Sequence, residues 1–182
     1  MRAIGAVVIG LVMVLAACGS DDDDSETTAT SAATTEAATT SSPEEATALA
    51  GTWRTDPITV ADMEGTLSEA GLGKHFAAFE RNAPISDDPT VLILDVGDDW
   101  DLYGQVQGEP RAKLDFDAQF EVRGNTVVVT HSTGTSNTLR WSVRDEVLDL
   151  TWLEGTAPPF RGIPDEAYQR ALYMTADFHR AP

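Results

Sequence analysis

From Ala112 to Val122 the chain alternates without a fault. Ala112, Leu114, Phe116, Ala118, Phe120 and Val122 fall on one side, and Lys113, Asp115, Asp117, Gln119 and Glu121 on the other. A repeat of two puts every apolar residue on one face of an extended strand. A helix cannot use this pattern, because its repeat of 3.6 would spread the apolar residues around the whole cylinder. The stretch is therefore read as an antiparallel strand with one dry and one wet face. It exceeds the usual five or six residues, which predicts a bend.

The same period recurs on both sides of it. Trp100, Leu102, Gly104 and Val106 share one face, while Asp101, Tyr103 and Gln105 share the other. Leu139, Trp141 and Val143 make an inward row, a tight turn follows at Arg144-Asp145, and Leu148, Leu150 and Trp152 make the next. Val91 to Val96 is apolar enough for burial on both faces, and Thr126 to His131 follows a Gly124-Asn125 turn. A short strand at Gly51 to Arg54 opens the series. Tyr173 to Arg180 closes it, with Met174, Ala176 and Phe178 on one face.

Between the first two strands the spacing turns helical at Val60, Met63, Leu67 and Leu72, with Thr59 and Asp62 placed as a capping box. Lys74 to Asn82 reads as a second short helix and Asp165 to Leu172 as a third. Short strands at this spacing predict a sandwich or a barrel. Neighbour-to-neighbour order with large apolar residues on one side of each strand favours the closed form, which leaves no free edge. The expected fold is mostly β: an antiparallel up-and-down eight-stranded barrel over residues 48–182. Two short helices follow its first strand and one precedes its last.

Gly51-x-Trp53, the strand series behind it and the basic Arg180 at the end resemble the calycin superfamily, the lipocalins and fatty-acid-binding proteins. The resemblance implies that Arg180 packs over the Trp53 indole and, with Gly51, closes the barrel floor. A cation over a tryptophan face contributes roughly 0.5–2 kcal/mol. The paired helices resemble the lid of the fatty-acid-binding branch. The chain ends in His179-Arg180-Ala181-Pro182, without the Arg-x-Tyr pair with which that branch holds a carboxylate.

The beginning of the chain has a different character. Arg2 leads into an apolar run from Ala3 to Ala17 that stops at Cys18, the one cysteine. A spanning helix needs about 20 apolar residues, and here an acidic block, Asp21 to Asp24, follows at once. The layout is that of a cleaved secretory signal. Leu15-Ala16-Ala17-Cys18 resembles the lipobox of bacterial lipoproteins, which implies signal peptidase cleavage after residue 17 and acylation of Cys18. Each buried methylene then contributes about 0.8 kcal/mol of membrane affinity.

Residues 18–47 read as a lipidated cysteine followed by an acidic Ser/Thr-rich tether, too poor in apolar residues to offset the entropy of ordering. The tether holds eight acidic residues and no basic one. The domain behind it holds 22 acidic and 11 basic residues, a net charge of −11. Nucleic acid and anionic lipid head groups are repelled by such a surface, so no nucleic-acid partner is expected.

Chemistry is sparse. Leu102, Leu114, Phe116, Phe120, Trp141, Trp152, Met174 and Phe178 form an inward row that is either a solid core or the lining of a pocket. His131 alternates in phase with Val127 and Val129 and is the candidate polar group inside it. Asp95, Asp98, Asp99 and Asp101 cluster at a turn, but not with the spacing of a calcium loop. His75, His131 and His179 lie far apart, without the spacing of a zinc site. No nucleophile is spaced with a base, and no phosphate or dinucleotide loop is present. The sequence therefore predicts no metal, no cofactor and no catalysis. The favoured expectation is a membrane-anchored barrel that binds a small apolar or amphiphilic ligand at the cell envelope. The alternative is a filled barrel that binds another protein, and a barrel enzyme comes last.

Overall fold

A computed structural model describes residues 43–82, 85 and 87–182, apart from the side chains of residues 43–45 and 115–117. The signal, Cys18 and most of the tether lie outside the described residues. Eight strands close into one antiparallel barrel in simple neighbour order. They are β1 (Gly51–Arg54), β2 (Thr90–Val96), β3 (Trp100–Val106), β4 (Ala112–Arg123), β5 (Thr126–Thr130), β6 (Ser136–Arg144), β7 (Val147–Gly155) and β8 (Phe178–Arg180). Among the described residues four α-helices accompany them: α1 (Pro43–Leu49), α2 (Val60–Glu69), α3 (Phe76–Glu80) and α4 (Asp165–Tyr173).

The two ends of the barrel differ because of where the connections fall. The lower end carries α1, the tight turns β2–β3, β4–β5 and β6–β7, and the end of β8. The upper end carries α2 and α3 between β1 and β2, α4 between β7 and β8, and the longer loops. Helix α2 starts where the sequence places it. The Asp62 carboxylate accepts the Thr59 N–H at 2.7 Å and the Thr59 hydroxyl at 2.8 Å. Those bonds favour its charged form and hold its pKa below the usual carboxylate value.

The long strand β4 bends as expected. Its register with β3 shifts twice between the Trp100 and Tyr103 pairs, which is how a long strand turns a barrel corner. In the β6–β7 turn both Asp145 (φ 50°) and Glu146 (φ 64°) are left-handed. This is the backbone that matches strand twist in a two-residue hairpin. Glutamate dislikes that conformation. Here Arg180 holds it, giving its N–H to the Glu146 carbonyl at 2.9 Å and its Nε to the Glu146 carboxylate at 2.9 Å.

Two elements differ from the sequence expectation. The last strand is Phe178–Arg180, not Tyr173–Arg180, because α4 runs on through Tyr173. Met174 Sδ sits 3.8 Å from Arg170 Nη1, and the Thr175 hydroxyl donates to the Ala171 carbonyl at 2.7 Å. Both contacts have the four-residue spacing of a helix. Likewise residues 43–47, read as the end of the spacer, belong to α1. Its Leu49 is fully buried.

Candidate functional site

The floor of the barrel is built around Trp53. On β1 its side chain faces inward and is fully buried, and its Nε1 donates to the Leu49 carbonyl at 2.9 Å. Register places Arg180 of β8 beside it, with the guanidinium carbon 4.1 Å from the ring centroid. Nη1 and Nη2 donate to the carbonyls of Ala50 and Ala48 at 2.9 and 2.8 Å. These carbonyls lie at the end of α1, where helical partners run out and a cation is favoured. Gly51 has a φ of +129°, and a Cβ there would come within 2.9 Å of Arg180 Nη1. Only glycine admits both the backbone and the guanidinium.

Above the floor, large side chains pack against one another. Trp100 is fully buried, lies 6.0 Å from the Phe120 ring and 6.1 Å from the Tyr173 ring, and donates Nε1 to the Tyr173 hydroxyl at 3.0 Å. Tyr173 thus reaches from the end of α4 to a residue at the lower end of β3. Leu92, Leu94 and Leu102 around it have no exposure at all. Of the inward row read from sequence, Leu102, Trp141, Trp152 and Phe178 are buried, while Leu114, Phe120 and Met174 are partly covered. Phe116 lies on β4, and its side chain is outside the described residues.

Polar groups gather at the upper end. His131 follows β5 and is half-buried, and its Nε2 lies 3.0 Å from the Asn137 amide. Asn137, on the inner face of β6, is only 2 % exposed. One orientation of its amide gives both ends partners. The oxygen then accepts from His131 Nε2 at 3.0 Å and Gln169 Nε2 at 2.8 Å, while the nitrogen donates to the Ser136 carbonyl and Asp165 Oδ2, both at 3.0 Å. This hub ties the β5–β6 loop and β6 to the first turns of α4. Gly155 at the end of β7 makes room for it, since a Cβ there would run into Asp165, Trp152 and Asn137. Trp141 Nε1 and Gln169 Oε1 are buried and have no partner among the described residues. Sequence reading singled out His131 and not Asn137. The available signal was that Asn137 continues the alternation of Leu139 and Trp141.

The acidic cluster is engaged elsewhere. Asp95 accepts the Thr52 hydroxyl and pairs with Arg111, each at 2.8 Å. Asp101 accepts the Tyr103 hydroxyl at 2.9 Å, and Asp99 accepts from Gln119 at 2.6 Å. Arg111 also lies 4.1 Å over the Tyr103 ring, and burial, with Asp101 beside it, pushes the Tyr103 pKa upward. Among the described residues no three His, Cys, Asp or Glu side chains gather as a metal site.

Clefts among the described residues border this framework. One of about 210 Å³ sits at the mouth, lined by Ile85, Gly104, Val106, Ala112 and Leu114, with Glu109 beside them. A second, about 430 Å³, lies along Arg54, Pro57, Pro89, Val91 and Gln105. The third, about 450 Å³, opens in the seam between β7 and the segment joining α4 to β8. No family model, curated protein or solved structure matches this chain.

Proposed function

We propose that this chain is a lipid-anchored protein of the bacterial cell envelope, whose lipocalin-like barrel takes the apolar end of a small amphiphile at its mouth. The anchor rests on the Leu15-Ala16-Ala17-Cys18 lipobox. The binding rests on one observation, the mouth cleft walled by Val106, Ala112 and Leu114 with a carboxylate, Glu109, beside them. Apolar walls with a few polar groups are the usual chemistry of a small-molecule site. At about 210 Å³ the cleft suits part of a ligand rather than the whole of one, because ligand pockets usually run to about 300–1,000 Å³. The polar end stays in water. We assign the barrel no catalytic role.

Two results test this. Cys18→Ser is expected to move the protein from the membrane fraction to the soluble fraction, since one thiol carries the whole anchor. Equal membrane retention of that variant removes the lipoprotein reading. Native mass spectrometry of the protein purified from its own membranes in mild detergent is expected to show one amphiphile of constant mass. Leu114→Trp, which fills the cleft, should lose it while keeping the wild-type circular dichroism. A wild-type protein with no adduct, or a variant that keeps it, ends the binding reading.

The packing of Trp100 against Phe120 and Tyr173 favours a second reading, in which the loops hold another envelope protein. Wild-type protein that carries no adduct but cross-links to one protein in its own membranes supports that reading over the first.

A further inference from the structure

Strand β8 is too short for its neighbour. β7 runs from Val147 to Gly155, yet β8 pairs with it only at Val147 and Leu148. Towards the upper end α4 takes over, and the Trp152 N–H donates to Met174 Sδ at 3.4 Å, a weak acceptor. Between these two stretches the chain at Thr175, Ala176 and Asp177 stands off from Asp149, Leu150 and Thr151. The gap is the seam cleft of about 450 Å³.

Alternate residues of a strand present their backbone groups to the same neighbour. The Glu146 carbonyl accepts from the Arg180 N–H, and the Trp152 N–H faces Met174. The even-numbered residues of β7 therefore face the seam. Leu150 presents its N–H and C=O to the cleft, with no strand opposite. Asp149 and Asp177, both exposed, stand at its rim. The neighbouring cation, Arg170, is already held by Glu166 at 2.9 Å.

We propose that the seam cleft binds an extended, positively charged peptide segment, one residue of which exchanges both backbone hydrogen bonds with Leu150. An antiparallel pair makes that exchange at a single residue. The open stretch of three β7 residues spans about 10 Å, which admits a short piece of chain and no more. A purely apolar ligand would strip water from both Leu150 groups and return nothing. An anion would meet Asp149 and Asp177. The residue opposite Leu150 turns its side chain inward as Leu150 does, and a cationic side chain on the next residue turns outward to Asp149 and Asp177, so one extended segment satisfies all four groups. The site is separate from the mouth cleft, and the inference stands whether or not an amphiphile binds there.

The test uses the ¹⁵N-labelled full chain in detergent micelles, titrated with acetyl-Lys-Ala-Lys-N-methylamide. Saturable shifts are expected at the amides of Leu150, Thr151, Thr175 and Asp177. The same peptide methylated on the alanine backbone nitrogen should bind about tenfold more weakly, because one exchanged bond is lost. Asp149→Asn with Asp177→Asn should weaken binding and flatten its dependence on salt. Equal affinity for the methylated peptide, saturable shifts confined to other residues, or no shift at millimolar peptide overturns the proposal.

Discussion

Trp53→Ala is expected to destabilise the domain by about 3–5 kcal/mol and to lower its melting temperature by about 10–20 °C. The residue is fully buried at the one point where α1, β1 and β8 meet. Truncation opens a cavity in the floor, removes the face under Arg180, and leaves the Leu49 carbonyl without its donor. Urea or thermal unfolding followed by circular dichroism measures the loss. A change below about 1 kcal/mol would mean that α1 and the rest of the core hold the floor without the indole.

Arg180 separates the causes. Arg180→Met keeps much of the side-chain bulk but removes the charge and the donors to Ala48, Ala50 and Glu146. Part of that loss falls on Trp53, so the two substitutions together should cost less than their sum. The coupling is expected at about 0.5–2 kcal/mol, the range of a cation over an indole. A coupling near zero would assign the guanidinium to the helix carbonyls alone. The Arg180 side chain also pairs through Nε with the left-handed Glu146, so the β6–β7 turn should lose amide protection in this variant and not in Trp53→Ala.

Elements whose burial has one simple period were legible in the sequence. The alternation on β4 and the rows on β6 and β7 required strands, and neighbour order followed from short turns. Where two periods compete, the sequence misleads. Met174, Ala176 and Phe178 alternate like a strand, yet Arg170 with Met174 and Ala171 with Thr175 are helical pairs. The helix prevails because Tyr173 must reach Trp100, a contact 73 residues away that no local pattern displays. The tether composition hid α1, although Pro43 followed by two glutamates is a recognisable helix start. The polar hub was hidden for a different reason. Its members sit on a loop, a strand and a helix far apart in the chain, and each looks like an ordinary surface residue by itself.

That hub should be the second most costly place to cut. Asn137→Leu keeps the volume and removes the amide, so His131 Nε2 and Gln169 Nε2 lose their acceptor and Asp165 loses a donor. Gln169 is only 6 % exposed and already carries one unpartnered oxygen, so water cannot readily replace what is lost. Each buried group left unmade costs about 1–3 kcal/mol, and we expect a total near 3 kcal/mol. The damage should be local as well as global. Helix α4 is fastened to β6 at its first turns by this amide, and hydrogen exchange should show α4 opening before the strands do. Asn137→Asp is the informative control. It keeps the shape and the acceptor for His131 but sets a carboxylate beside Asp165, so it should cost less at low pH, where one of the two can hold a proton. If Asn137→Leu loses less than about 1 kcal/mol and α4 stays protected, the helix is held by Ala167, Ala171 and Leu172 against the core, and the hub is only the lining of the mouth.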